Sequence, residues 1–524
     1  MKPFILTRAV PINGLQVEVE VEVEVEVEVE VQVEVEVEVK IKKMINKISN
    51  KNIRDMKKSI KHLPVVSVLA VLMLHSGNVI ADNLVLNPGF EASPSTPKNW
   101  TITGPVSTMQ PVTSIDNHIR FDGQYGLKME SSNPNCHGRA VQTVQITGGQ
   151  TYLFSGRFRT ESIKSIDKSV LIRIRWLKDK DQLGYNFIYD ISAESNGWFL
   201  ASNKIKAIDG ATTAEISLEF RWSTGKVWWD DITLENCPEE PARNIKVGTL
   251  YFRPTGPTVE KNISMMSDML DQAGKSGCRI VCLPEGWPTC DTGLGMTKVE
   301  SNTLDGSASK MMSLKAKQYG MYIVSGLYSW IGDTLKNVAV LYDRQGKIQA
   351  VYEKVQLPDA ETEQGAVPGN SLPVFTTDFG KIGILICWDS AFPEVSRILA
   401  LNGAEILFCP IWGDVRGAES WKITARSRAI DNGVYFVTSI FDGHSVIVNP
   451  AGDILQESGT QGTLLTATID LNYNPPWDWI GNAGRGVWKG VWRKDRRSDI
   501  FGAIGNYITT PDLSSDQISG KTLK

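Results

Sequence analysis

Lys381 to Arg397 reads KIGILICWDSAFPEVSR: an apolar run stops at Cys387 and gives way to an acidic stretch with Pro393. A short continuous apolar run bounded by a turn predicts a buried strand, and proline is tolerated near a helix start, so a strand-to-helix turn is expected here. A cysteine at such a turn meets helix-terminal N–H groups, which favour the thiolate. Taken alone, Cys387 reads as an ordinary buried thiol.

Outward from this turn the same alternation repeats. KVGTLYF precedes an expected helix over 258–275, then come CRIVCLPE, EVSRILALNGA and EILFCPIW. Strands alternating with helices predict an α/β domain. Two further strand ends carry chemistry: RIVCLPEGW delivers Glu285, and AVYEKVQLP delivers Lys354. Partial burial would raise the Glu285 carboxyl toward a useful general base.

Glu285, Lys354 and Cys387, in this order, resemble the catalytic set of the nitrilase superfamily, the carbon-nitrogen hydrolases, from Asn244 to about Tyr507. Pro368-Gly369, GAEILFCP, the expected helix over 419–433 and SVIVNPAGDIL support the resemblance. It implies an α-β-β-α sandwich, dimerisation through helical faces, Glu285 as base, Cys387 as nucleophile and Lys354 as oxyanion-stabilising cation. The Trp388 backbone N–H would complete the oxyanion hole. The resemblance also implies a second glutamate in this region; position in EQGAVPG assigns it to Glu363, with Glu361 a near competitor. No catalytic cofactor is implied. CWD followed by FPE leans toward a small-molecule amide or carbamoyl substrate over a nitrile. Acyl transfer through the same thioester stays open, as does an inactive adhesion protein, against which the intact triad argues. VWRKDRRSDIFG, with Arg493, Arg496 and Arg497, resembles the basic segment closing such domains, or is a solvated turn.

Residues 83–237 are of another kind. TYLFSGRFRT, SVLIRIRWL, TAEISLEFRW and KVWWDDITLE alternate with period two between polar turns, predicting an all-β antiparallel sandwich. NPGFE, GLKM, GWF and WWDDITL resemble jelly-roll carbohydrate-binding modules, which implies a polysaccharide ligand and a structural calcium held by Glu91 and Asp230. Period two puts Trp228, Asp230, Ile232 and Leu234 on one inward face, where Asp230 needs a cation or hydrogen bonds. The same period makes Trp176 and Trp222 core residues. Opposite them stand Arg157, Arg159, Arg173, Arg175 and Arg221: an acidic-glycan face if their strands share a sheet, or a solvated face of local ion pairs.

Residues 238–243 read as a linker, and 508–524 as a polar tail. Val17 to Val39 is a Val-Glu alternation broken by Gln32. It could form one strand with an apolar face, and residues 1–55 read more readily as a translated repeat upstream of the true start. From Met56, MKKSIKH, the run LPVVSVLAVLML and HSGNVIA ending at Ala81 form a signal-peptide pattern for a secreted or periplasmic protein. That run is shorter than the ~20 residues of a spanning helix, and no later segment would span a membrane.

The 524 residues exceed one core's usual size, and 42% hydrophobic content with a net charge of -4 excludes a basic nucleic-acid binder. Seven cysteines are too few for a disulfide scaffold, and Cys278 and Cys282 lack a histidine to complete a metal site. Export would allow Cys136 and Cys237 to pair, if they meet.

Overall fold

The computed structural model describes residues 82–414 and 417–475, with strands at 4–12, 15–27, 33–42, 476–477 and 486–487 and the pair 496–497. The signal-like segment 56–81, Arg493 and the tail 508–524 lie outside the described residues. Two compact units divide the chain, Met1–Ile80 and Ala81–Lys524.

In the first unit, Phe4–Ile12, Leu15–Val27 and Val33–Lys42 form a three-stranded antiparallel sheet. Its register sets Val23 against Val37 and Glu24 against Glu36. Period two thus makes strands of the repeat.

The second unit begins with a β-sandwich. One sheet contains Thr101–Thr103, His137–Gln145, Thr213–Arg221, Val170–Lys178 and Asp181–Ile188, and the other runs from Val112–Asp116 through Gly126–Ser131, Gly225–Asn236, Thr151–Glu161 and Trp198–Lys206 to Ile191–Ala193. Ile172, Ile174, Trp176, Ile216, Leu218 and Phe220 face a shared core with Phe154, Phe158 and Trp229, as the alternation predicts.

The alternation fails at two tryptophans. A bulge between Asp230 and Thr233, with Asp231 at φ 49°, inserts a residue, so Val227, Trp229, Ile232 and Leu234 join the inter-sheet core while Trp228 and Asp230, both still buried, stand on the opposite face. Trp222 lies beyond the end of its strand at φ 54°, 40% exposed, under the Arg221 guanidinium.

The arginines form no single face, and the alternative of local ion pairs holds. Arg157 and Arg159 lie in one sheet, Arg173 and Arg175 in the other. Three of these arginines are engaged by carboxylates: Arg173 with Glu219 at 2.6 Å, Arg175 with Glu215 at 2.7 Å, and Arg157 with Glu194 at 2.9 Å and with Asp231. Cys136 and Cys237 are free thiols; the Cys136 thiol donates to the Ser223 carbonyl.

Glu91 and Asp230 converge on one loop, but on its N–H groups. Glu91 accepts from Gln124 and Tyr125, both at 2.9 Å, and Asp230 from Phe121 (2.7 Å), Asp122 (3.2 Å) and Asp231 (2.8 Å). Burial pushes the Asp230 carboxyl up to about 6 despite these donors. Calcium requires oxygen ligands, and among the described residues no group of three or more His, Cys, Asp or Glu side chains could hold a metal. Both carboxylates here serve as acceptors for the N–H groups of one loop.

From Asn244 the chain builds two stacked six-stranded sheets. The first contains Asn244–Tyr251, Ile280–Cys282, Tyr322–Ile331, Thr334–Tyr342, Ile348–Glu353 and Thr463–Asp470; the second contains Val374–Thr376, Lys381–Ile384, Ile406–Gly413, Tyr435–Asp442, Ser445–Val448 and Ile454–Ser458. Val247, Ile280, Val324, Ile384, Phe408 and Val437 pack in the inner layer. Helices Val259–Lys275 and Ser307–Tyr319 bury Met266, Leu270, Met312 and Ala316 on the outside of the first sheet. Helices Pro393–Leu401 and Ala418–Asn432 bury Val395, Leu399, Ala425 and Ala429 on the outside of the second. The result is the expected α-β-β-α order. Thr258 caps its helix through the Lys261 N–H, and Gly433 ends another at φ 61°, where glycine escapes the Cβ penalty.

The 238–243 linker is pinned rather than loose: the Arg243 N–H bonds Asp470, and Asn472 bonds the Pro241 carbonyl. Beyond Asp470 the chain returns to the sandwich. Pro476–Trp477 pairs with Gly486–Val487, which joins Asp181–Ile188 through Tyr185 opposite Gly486. A chain ending at Pro475 should therefore expose the Asp181–Ile188 edge. Faster amide hydrogen exchange on that strand is the expected result, and unchanged exchange would deny the added strands any role.

Candidate active site

Each of the three strand ends meets the same point between the sheets. Ile280–Cys282 carries the chain to Pro284 and Glu285, which Gly326 approaches so closely that an added Cβ would lie 2.7 Å from the Glu285 Cα. Lys354 follows Ile348–Glu353, its N–H bonded to the Asn337 carbonyl at 2.9 Å. Cys387 stands after Lys381–Ile384 at φ 46°, the left-handed region, which costs a non-glycine residue about 1–3 kcal/mol.

Asp389 holds this strained turn. Buried completely, it accepts from the Ile386 N–H (2.9 Å), the Gln356 N–H (2.8 Å) and the Tyr352 hydroxyl (2.7 Å), so one carboxylate ties the cysteine turn to the segment flanking Lys354. Burial pushes it up to about 6 against those donors.

Glu285, Lys354, Asn337 and Glu361 form a buried polar network. The Lys354 ammonium donates to Glu285 at 2.9 Å and to Glu361 at 2.5 Å, and Asn337 Nδ2 donates to Glu285 at 2.6 Å and to Glu361 at 3.0 Å. The remaining Glu285 oxygen accepts from the Trp412 N–H at 2.8 Å. Burial pulls the Lys354 ammonium down, but the carboxylates more than offset it and hold the group firmly charged. Burial, reinforced by the neighbouring Glu285 charge, raises Glu361.

The second glutamate is therefore Glu361, not Glu363. Helix Asp359–Thr362 turns Glu361 inward to 6% exposure, whereas Glu363 caps that helix on its solvent side. Spacing from Pro368-Gly369 could not distinguish them, because two residues on a single helical turn point in different directions.

Cys387 is only partly exposed and borders the cavity. Burial pushes its thiol up, and the hydrogen-bonded Glu285 carboxylate pushes it further, while Lys354 and the Trp412 N–H oppose them. This reverses the expected thiolate: burial and the Glu285 carboxylate outweigh Lys354 and the Trp412 N–H. The Trp388 indole is 43% exposed and stands edge-on to Phe392.

Asn337, Trp412 and Tyr328 were not singled out by the sequence reading. Asn337 had a signal, a lone amide within the apolar strand TLKNVAVLY. Tyr328 packs where a Gly286 Cβ would lie 2.5 Å from its ring, a contact no local pattern reveals. Arg496 is electrostatically coupled to Asp167 and Arg397 and does not line the active cavity.

The carbon-nitrogen hydrolase family matches residues 249–477. The omega-amidase of Danio rerio is 28% identical over 232 residues, spanning 40% of this chain and 83% of the relative. The deaminated glutathione amidase of Rattus norvegicus is 30% identical over 243 residues, spanning 41% and 74%. Among solved structures, a nitrilase-superfamily member from Saccharomyces cerevisiae is 26% identical, covers 43% of this chain and 90% of its own, and has a TM-score of 0.41. The chain belongs to the carbon-nitrogen hydrolase family. It is an amidase-type hydrolase acting on carbon–nitrogen bonds other than peptide bonds.

Two predictions follow from the geometry. Glu361→Gln should lower kcat about 100-fold by loosening Lys354, and Glu363→Gln should leave it within a factor of about two; equal effects would reject the assignment. Because the Cys387 thiol is raised, its thiolate absorbance, read against Cys387→Ser, should emerge only above the ordinary thiol value of about 8.5. A thiolate signal at neutral pH would contradict this.

Proposed function

We propose that the enzyme hydrolyses a small-molecule amide through a Cys387 thioester, with Glu285 as shuttle base and acid. The carrying observation is the Cys387 thiol hydrogen-bonded to Glu285, whose carboxylate is fixed by Lys354, Asn337 and the Trp412 N–H. Glu285 takes the thiol proton as sulfur attacks the carbonyl carbon. Lys354 and the Trp388 backbone N–H stabilise the oxyanion. Protonated Glu285 then gives its proton to the leaving nitrogen, and the carbon–nitrogen bond breaks to leave a thioester. Water, deprotonated by Glu285, attacks that thioester, and the carboxylic acid leaves as the thiol regains its proton. Lys354 stays charged throughout, so no metal or organic cofactor enters these steps.

The sandwich, by its resemblance to jelly-roll carbohydrate-binding modules, serves as a polysaccharide tether. Exposed Trp222, with Arg221 stacked on it, replaces the arginine face as its contact surface. The segment 56–81 supports export to the periplasm or medium, and the family resemblance supports a homodimer. The loop clamped by Glu91 and Asp230 gives the calcium proposal no support.

The chain from residue 82, offered simple amides, carbamoyl amines and nitriles, should release ammonia from the amides. Cys387→Ala should lose at least about 10⁴-fold in kcat. Turnover retained in that variant would reject the mechanism, and acyl transfer to an added amine in place of acid formation would select the transferase reading. Retention of soluble polysaccharide by the wild type but not by Trp222→Ala tests the tether. Starting the chain at Met56 should give export with cleavage after Ala81; retention of the segment would reject that proposal.

A further inference from the structure

Strand Tyr322–Ile331 turns Val324, Gly326 and Tyr328 toward the second sheet, since side chains alternate along a strand and Val324 packs in the inner layer. The register sets Tyr328 directly opposite Asn337, the amide that grips Glu285 and Glu361. Opposite residues of an antiparallel pair share a face, with Cβ atoms about 5 Å apart. A tyrosine reaches further than an asparagine, so from this position Tyr328 extends to the cavity of about 400 Å³ that Glu285 and Cys387 border.

A glycine makes room for it. Gly286, the residue after Glu285, stands at φ 60°, and a Cβ there would lie 2.5 Å from the Tyr328 ring and 3.1 Å from its hydroxyl oxygen. The hydroxyl is thus set against the segment that carries the base, while Met296, Leu335 and Ala366 pack round the ring. The side chain is 7% exposed, and among the described residues its hydroxyl has no hydrogen-bond partner. A buried hydroxyl needs a partner, and the cavity is where this one meets a ligand. Burial, and then the Glu285 and Glu361 carboxylates, push it well above the usual phenol range, so it stays neutral and its oxygen is free to accept.

A primary amide brings a carbonyl oxygen and two N–H donors. In the proposed mechanism the oxygen goes to Lys354 and the Trp388 N–H, and the nitrogen must come to Glu285 for its proton. The Glu285 oxygens already accept from Lys354, Asn337 and the Trp412 N–H. A nitrogen arriving there carries N–H groups that need a further acceptor, and the Tyr328 oxygen stands beside that point. We infer that the Tyr328 hydroxyl accepts a hydrogen bond from the substrate's amide nitrogen, holding the leaving group at Glu285 and favouring an amide over the ester of the same acid. The inference rests on the amidase reading above and adds a substrate-binding residue to it.

The test is Tyr328→Phe, which removes the oxygen and keeps the ring, assayed on butanamide and methyl butanoate. The two share an acyl group, and only the amide carries N–H. The amide-to-ester ratio of kcat/KM should fall at least about tenfold in the variant. An unchanged ratio would overturn the inference whatever the absolute rates, because a general disturbance of the site, or a bond to the shared carbonyl, lowers both alike. A second measurement is independent of turnover: Kd for each compound, by NMR titration, in Cys387→Ala with and without Tyr328→Phe. The added substitution should weaken butanamide more than the ester, and equal weakening would overturn the inference while leaving the hydrolase intact. No turnover of any amide by the wild type, together with no binding of butanamide to Cys387→Ala, would overturn the hydrolase reading itself.

Discussion

The hydrolase half depends on one buried ammonium. Lys354 is almost fully enclosed, and a lone charge there would cost several kcal/mol of desolvation. Two carboxylates and an amide make that position tenable, and in doing so they fix where three separate chain segments must lie. Glu285 arrives from the first sheet, Lys354 and Glu361 from the segment after its edge strand, and Asn337 from the neighbouring strand. Such a network specifies structure because any partial version of it leaves a buried charge unpaired. The cysteine turn from the second sheet is then held to the first by Asp389, through the segment that flanks Lys354.

That division explains what the sequence disclosed. Strand ends are conspicuous in a linear text, since an apolar run stops and a reactive residue follows, so Glu285, Lys354 and Cys387 were legible together with the layer order. The second glutamate was not, because Glu361 and Glu363 differ only in which way a single helical turn faces. Nor was the upward push on the Cys387 thiol, which comes from burial and then from Glu285, a residue far earlier in the chain. Sequence reports the local turn; the sulfur responds to its nearest charges.

The sandwich teaches the same lesson in period two. Alternation located its strands and placed Ile172, Ile174 and Trp176 correctly, yet the bulge at Asp230 and Asp231 inverted the reading of Trp228. A bulge adds one residue to one strand, so every inside–outside assignment before it and after it differs by one step. The two acidic residues that looked like cation ligands instead receive the N–H groups of the loop at Phe121 to Tyr125. The arginines were divided between two sheets, a matter of topology that spacing along the chain does not carry.

The strand at Gly486–Val487 gives the molecule a temporal order. It lies roughly three hundred residues after its sheet neighbour, Asp181–Ile188, so the sandwich reaches the ribosome exit with one edge of its sheet uncovered. An uncovered edge is a template for unwanted pairing. Its neighbour Gly486–Val487 is made only after the catalytic half, so the order of synthesis separates the two halves of this pairing.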